Sequence, residues 1–449
     1  MSRKRPTREA RKQKKDRRAL RTRKPARRRG RDAASLTLSA VMFFCASACL
    51  LLALKSLLNE GRVDWGALAL MVALPLVCWL CVRVVARPLR ADPMLVLLMT
   101  FLVSLGIVLL YGLDPERGLR QSVIYLLGIA MFAGCALSIR LIHDWHALSW
   151  LMIPAGLVLL LLPVAIGEEQ GGAKNWISMP VIGSFQPSEL VKLALLLTLA
   201  EFFSSPRGFR GMLPGLAFSA ACLGVLMLQK DLGTALMYYL VTLLLFWAAS
   251  SNLPLTLLGA LGGVGAAVVG YRMFAHVRTR VAIWLNPWSD ALGKGYQLVQ
   301  ALMAISSGGL FGLGLGMGQS RVIPAYSTDF IFAVLCEQFG ILFGLCVVAL
   351  YVILVMRGIS IALRARTPFQ ALLALGVSLM IGLQTFVIIG GVVKLIPLTG
   401  ITMPFVSYGG TSLVSCMGMV GLLCGVSAQN EKDRAEDERL TQGAEEGEA

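Results

Sequence analysis

The sequence predicts an all-α polytopic membrane protein with about twelve transmembrane helices, and three observations carry that prediction. Hydrophobic residues fill 56% of the 449 positions, more than a soluble domain of this length accommodates. They come in blocks of about 20 residues, the length that crosses hydrocarbon as a helix. Between the blocks, Arg and Lys collect in alternate connections, the asymmetry that sets orientation in a membrane.

Residues 1–32 carry 17 Lys/Arg against Glu9, Asp16 and Asp32, a net of +14. With so little apolar surface to bury, segment 1–33 reads as a disordered basic tail. It has no aromatic residue for base stacking, so anionic lipid headgroups and retention in the cytoplasm are its reading, not nucleic acid. The next block, 34–58, is too long for the apolar core of a cleavable signal peptide. With 66–86 it makes a pair of N-terminal helices within 34–92. Ten more follow at 93–113, 121–140, 147–166, 187–204, 211–229, 232–250, 253–272, 329–356, 369–392 and 408–428.

With the basic tail inside, RVVARPLRAD, RLIHDWH, SPRGFRG, SSNLP and RGISIALRART become cytoplasmic connections, and Arg enriches all but SSNLP. An even helix count returns the C-terminus to the same side. There the last 19 residues hold eight acids and three bases, so 429–449 reads as an acidic disordered tail. The ten cysteines lie in the apolar blocks and the chain has three histidines. That leaves little for a structural zinc site, and small-residue packing is the reading for the cysteines.

The longest extracytoplasmic connection, 273–328, departs from the charge rule, because Arg272, Arg278 and Arg280 open it. Long loops translocate regardless of charge; an anionic ligand is the other reason to place cations there. Its apolar stretch QLVQALMAISSGGLFGLGLGMG predicts an interfacial or re-entrant helix held against protein. A full span would turn RGISIALRART outward.

A charge inside hydrocarbon costs about 2.5–3.5 kcal/mol on insertion scales, so each one needs a partner or a task. Glu189 and Lys192 lie three apart behind Pro187, on one helix face. They read either as an intrahelical ion pair or as a cation facing an anionic ligand with its orienting carboxylate. Asp231 precedes LGTALMYYL and reads as an N-cap with Thr234. Asp290, between Pro287 and Gly293, has the setting of an Asx turn. Glu337 sits in the body of a helix and needs a partner. PLTGITMPFVSYGGTS, with Ser407 and Tyr408, is irregular backbone of the kind tolerated where it lines a cavity or is covered by protein. No P-loop, dinucleotide fingerprint, HExxH or GxSxG element occurs in a fitting context.

Together KNWISMPVIGSFQPSELVKLALLL, QKDLGTALM, NPWSDALGKGYQLVQALMAISSGGLFGLGLG, TDFIFAVLCEQFG and PLTGITMPFVSYGGTSL resemble the SEDS family of bacterial cell-wall proteins, which includes FtsW, RodA and SpoVE. The resemblance spans residues 93–428 in order, and GITMPFVSYGGTS and DALGKGYQ look nearer to FtsW and SpoVE than to RodA. It implies a core of ten helices over 93–428, to which helices 34–58 and 66–86 are an addition. It also implies a peptidoglycan glycosyltransferase of the bacterial cytoplasmic membrane that polymerises lipid II on the outer face. The implied partners are a class B penicillin-binding protein and proteins of a division or elongation complex. Asp290 takes the place of the family's catalytic aspartate. Glu189, Lys192 and Asp231 match its charged positions, and Lys174, Arg278, Arg280, Glu337 and Ser407 join them as substrate-binding positions. Asn175 stands where the family often has Arg, Ala325 and Ser327 where it has Glu and His, and Gln338 where it has a second Glu. Each removes a charge.

For such a reaction a sugar hydroxyl attacks the anomeric carbon of an α-linked lipid pyrophosphate and inverts it. Pyrophosphate leaves without the protonation an alkoxide needs, so one base and cationic stabilisation suffice. Asp290 is then the base. Lys192, with Arg278 or Arg280, stabilises pyrophosphate, Glu189 and Asp231 orient the cations, and a divalent ion (Mg or Mn) is an alternative source of positive charge. Two other functions fit the class: a flippase for the lipid-linked precursor, in which Glu189, Lys192 and Glu337 matter and Asp290 does not, and a non-catalytic scaffold.

Overall fold

The computed structural model describes residues 26–447 apart from 143, 171–172, 180–182 and 206–207; of the basic tail, residues 1–25 lie outside it. Among the described residues the helices are α1 (Ala26–Glu60), α2 (Trp65–Leu80), α3 (Pro93–Leu113), α4 (Pro115–Leu141), α5 (Trp145–Ile166), α6 (Pro187–Phe203) and α7 (Phe209–Leu228). After these come α8 (Leu232–Ser250), α9 (Leu253–Met273), α10 (Ala275–Leu285), α11 (Tyr296–Gly308), α12 (Ile331–Ala362), α13 (Pro368–Val392) and α14 (Gly410–Gly447). Eleven are long and apolar enough to cross a membrane. The twelfth expected span, α6, has 17 residues, and its charged pair sits inside the bundle.

Local chemistry explains the boundaries. Asp114 accepts the Arg117 N–H at 3.3 Å ahead of Pro115, which starts α4 six residues before the expected 121. Asp64 caps α2 through the Ala67 N–H at 2.9 Å and Asp92 caps α3 through the Met94 N–H at 3.0 Å. The described parts of both tails are helical. Residues 26–33 begin α1, and 429–447 continue α14 as helix. Side-chain pairs at four-residue spacing support that extension, Arg434 meeting Glu438 at 3.0 Å and Gln429 donating to Asp433 at 2.9 Å, and Arg366, just ahead of α13, pairs with Asp437.

Contacts between helix ends define two ends of the bundle. At one, Arg357 meets Asp92 at 2.8 Å, Arg140 donates to the Leu89 carbonyl, and Trp145 stacks on Phe369 at 5.4 Å. At the other, the Tyr111 hydroxyl donates to Asp64 at 2.6 Å, Arg117 to Ser327 at 2.6 Å, and Arg280 to the Thr399 carbonyl at 2.8 Å. Arg357 shares an end with Asp92, so α11 does not add a span. The N-terminal pair α1–α2 packs on α3, with Phe44 against Phe101 at 5.3 Å and Cys78 Sγ 3.3 Å from Ser104 Oγ.

The loop end also carries a small antiparallel sheet in the order β1 (Glu168–Gln170), β2 (Ala173–Met179), β3 (Gly183–Phe185), with Ile177 opposite Phe185. The glycine-rich stretch after α11 enters a break in α12. Gly340 has φ 86° and ψ 165°, a conformation essentially restricted to glycine. The freed backbone groups pair with the loop: Leu313 N–H to Glu337 O at 2.9 Å, Gly314 N–H to Gln338 O at 3.0 Å, and Ile341 N–H to Gly309 O at 2.9 Å. Such satisfaction by neighbouring backbone is what allows irregular chain at membrane depth. A Cβ on Gly340 would lie 2.2 Å from the Leu310 carbonyl oxygen. Gly340→Ala is therefore expected to cost at least about 1–3 kcal/mol from backbone conformation alone. The checks are a lower thermal midpoint in detergent and faster proteolysis within 309–318.

Candidate active site at the loop end

Buried inside the bundle, the Glu189–Lys192 pair is closed on itself. Lys192 Nζ donates to Glu189 Oε2 at 2.8 Å and to Gln384 Oε1 at 3.1 Å, and Ser415 Oγ donates to Glu189 Oε2 at 2.7 Å. The side chains are 4% and 8% exposed. Of the two readings open in the sequence, the geometry realises the intrahelical ion pair. Lys192 thus bonds within α6 and to α13, and Ser415 of α14 joins the pair through Glu189.

Asp231 is the N-cap of α8. Its Oδ1 accepts the Thr234 N–H at 3.1 Å, and its Oδ2 accepts from Thr234 Oγ1 at 3.0 Å, Asn175 Nδ2 at 2.7 Å and Gln186 Nε2 at 3.2 Å. Asn175, shorter than the arginine common in the resembled family, still addresses this carboxylate. Asn175 Oδ1, Ser188 Oγ and Thr399 Oγ1 are buried without a hydrogen-bond partner, so polar valences remain open beside Asp231. Gly233 brings α8 against the Thr399 carbonyl, which would stand 2.8 Å from a Cβ there.

Asp290 lies elsewhere, exposed on the loop. The 3₁₀ turn Pro287–Asp290 follows α10, and the carboxylate accepts the Lys294 backbone N–H at 3.0 Å. The glycines of DALGKGYQ are what let the chain fold back on it, since a Cβ on Gly293 would lie 2.3 Å from Asp290 Oδ1. A cleft of about 350 Å³ opens here, lined by Arg278, Asn286, Ser289, Asp290 and Lys294 among others. Lys294 was not singled out from sequence; its place four residues after Asp290 in a glycine turn was the available signal. Asp290 is the one carboxylate of the cleft, with Arg278 and Lys294 as its cations. That donor set repels a resident Mg or Mn ion, and among the described residues no three His, Cys, Asp or Glu side chains form a ligand group.

Other expected binding residues have structural tasks. Glu337 finds its partner in loop backbone, accepting the Gln319 N–H at 2.9 Å and the Ser320 N–H at 3.0 Å. It therefore holds the loop. Ser407 Oγ accepts the Met403 N–H at 2.8 Å and donates to the Thr328 carbonyl at 2.6 Å, so it is a turn clasp. Lys174 is exposed and donates to the Val164 carbonyl at 2.9 Å. Arg117, not selected from sequence, sits 5.4 Å from the Tyr326 ring and 5.8 Å from the Tyr408 ring.

Arg280 and Asp329 flank Gly400, where a Cβ would lie 3.2 Å from Arg280 Nη2 and 3.6 Å from Asp329 Oδ2. Burial lowers the Arg280 pKa, opposed by Asp329 and Asp231. Burial likewise pushes the Asp329 carboxyl up to about 6, opposed by Thr328 and Arg280. The folded state thus takes up this proton before an unfolded chain does, so the group favours folding below the ordinary carboxylate range and loses that contribution as pH rises through about 6. The difference in thermal midpoint, wild type minus Asp329→Asn, is expected to be larger near pH ~5 than near pH ~8.

The sequence profile of the FtsW/RodA/SpoVE family, described as "Cell cycle protein", matches residues 93–432. The Mycobacterium tuberculosis H37Rv protein named peptidoglycan glycosyltransferase RodA is 36% identical over 370 residues, 75% of this chain and 78% of that protein. Stage V sporulation protein E of Bacillus subtilis is 34% identical, covering 75% of this chain and 96% of its own. A Geobacter metallireducens protein named probable peptidoglycan glycosyltransferase FtsW is 34% identical over 76% of this chain and 95% of its own. These identities do not separate the three branches. Among solved structures, one described as structural coordination of polymerization and crosslinking by a peptidoglycan synthase complex aligns with a TM-score of 0.63 and 30% identity, covering 76% of this chain and 98% of that one. The crystal structure of Thermus thermophilus RodA aligns at 0.55 with 30% identity over 76% of this chain and 97% of its own.

Proposed function

Since the chain belongs to the FtsW/RodA/SpoVE family of cell cycle proteins, we propose that it is a peptidoglycan glycosyltransferase polymerising lipid II at the outer face of the bacterial cytoplasmic membrane. The observation that carries the reading is the open cleft in which Asp290 stands with Arg278 and Lys294. An exposed carboxylate can take the proton of the attacking hydroxyl. As the new bond forms at the anomeric carbon, the bond to pyrophosphate breaks and its electron pair leaves with the phosphate oxygen. Arg278 and Lys294 stabilise that charge. Asp231 and its amide partners fix the start of α8, and the Glu189–Lys192 pair fastens α6 to α13 and α14.

Both termini lie in the cytoplasm in this reading, and the basic tail meets anionic headgroups. A class B penicillin-binding protein is the proposed partner, supported by the solved relative described as coordinating polymerization and crosslinking. A flippase that works through Glu189 and Lys192 is disfavoured, because those charges are satisfied by each other, Gln384 and Ser415.

The test is polymerisation of labelled lipid II by the purified full-length protein, with and without a cognate class B partner. Glycan strands are expected. Their absence with both proteins folded, together with translocation of labelled lipid in vesicles, would replace the polymerase by a transporter.

A further inference from the structure

Helix α10 is fastened to the rest of the protein at two points on one face. Arg280 Nη1 donates to the Thr399 carbonyl at 2.8 Å, and Trp284 Nε1 donates to the Lys394 carbonyl at 3.2 Å. The two donors are four residues apart, one helical turn, and both acceptors lie in the first part of the irregular chain between α13 and α14. Arg280 does not line the Asp290 cleft. Its half-buried guanidinium points instead at the turn over Gly400, with Asp329 and Asp231 as countercharges. Gly400 has φ 74°, and any side chain there would press on Arg280. The helix closes with the Asn286 N–H bonded to the Ala282 carbonyl at 3.0 Å, and the turn Pro287–Asp290 begins one residue later. The direction of α10 therefore bears directly on the position of Asp290, whose other side is held by the Gly293–Gly295 turn.

We propose that Arg280 and Trp284 are positioning residues: a two-point latch between α10 and the 394–400 segment that fixes where the Asp290 carboxylate stands. Arg280 was expected from sequence to bind the substrate; the latch gives it a different task. The inference rests on the polymerase reading only for its catalytic consequence, because the latch itself is a property of the folded chain. A misplacement of the order of 1 Å at a reacting group costs up to about 100-fold in rate, so releasing one point is expected to show in turnover.

The experiment uses full-length protein in detergent and compares wild type with Arg280→Gln, Arg280→Lys, Trp284→Phe and Gly400→Val. Amide hydrogen exchange over 275–286 is expected to quicken at least about 10-fold in Arg280→Gln and Gly400→Val, with 187–203 unchanged. Arg280→Lys keeps a donor and is expected to recover part of the protection. Trp284→Phe, the mildest change, is expected to quicken exchange by a few-fold, which decides the matter if Arg280→Gln fails to fold. In lipid II polymerisation, kcat is expected to fall about 10-fold or more in Arg280→Gln with KM held. Normal exchange over 275–286 with a raised KM would overturn the latch and return Arg280 to substrate binding. Exchange as expected from a wild type that makes no polymer would uphold the latch and remove the polymerase reading.

Discussion

Asp290→Asn protein is expected to fold as the wild type does and to lose about 100- to 10,000-fold in lipid II polymerisation, the range a positioned general base supplies. The substitution is clean for a structural reason. Asn keeps an oxygen able to accept the Lys294 N–H, now met at 3.0 Å, and its volume suits the tight approach of Gly293. What it removes is the capacity to accept a proton and one negative charge between Arg278 and Lys294. The affinity for lipid II should hold or rise, because the cations lose a competitor for phosphate. Measurement of polymer length and rate, beside binding of labelled lipid II, separates the outcomes. Full activity would strip Asp290 of the base role.

Lys192→Met is expected to damage the fold before it damages chemistry. It leaves the Glu189 carboxyl, 8% exposed, without its cation and with Ser415 as its remaining side-chain donor. Breaking a buried pair from one side costs about 3–5 kcal/mol, whereas replacing both members with apolar or neutral groups is often neutral. The double variant Glu189→Gln, Lys192→Met should therefore regain most of the lost stability, read as the thermal midpoint in detergent and as yield in the membrane fraction. A Lys192→Met protein of normal stability but without polymerase activity would place Lys192 on the substrate instead.

Much of this architecture is legible in the chain because hydrocarbon imposes its length and polarity on every span. All twelve expected helical segments have counterparts, and the Asp231 cap could be read from Asp preceding LGTA. Long-range partners were not legible. Glu337 required a partner, but the amides of Gln319 and Ser320 carry no side-chain signature. The spacing of Glu189 and Lys192 left two roles open, and it took Gln384 and Ser415, distant in sequence, to close them. Helix α10 went unseen since AHVRTRVAIWL mixes bases with apolar residues at no membrane length. The small sheet was missed because its strands are short and separated by irregular chain. In the acidic tail, a composition reading of net charge overlooked the four-residue spacing of opposite signs.

The break at Gly340 also dictates an order of events during synthesis. The loop amides of Leu313 and Gly314 have their acceptors on Glu337 and Gln338, which leave the ribosome later. At about 5–20 residues per second, the glycine-rich stretch waits on the order of seconds before its hydrogen-bond partners exist. During that interval it cannot enter hydrocarbon, where unpaired peptide groups cost several kcal/mol each. It must stay in the translocation channel or at the headgroup layer until α12 arrives, and α12 itself is completed only as the loop docks into its gap. The downstream helix thus serves as the assembly template for the segment made before it.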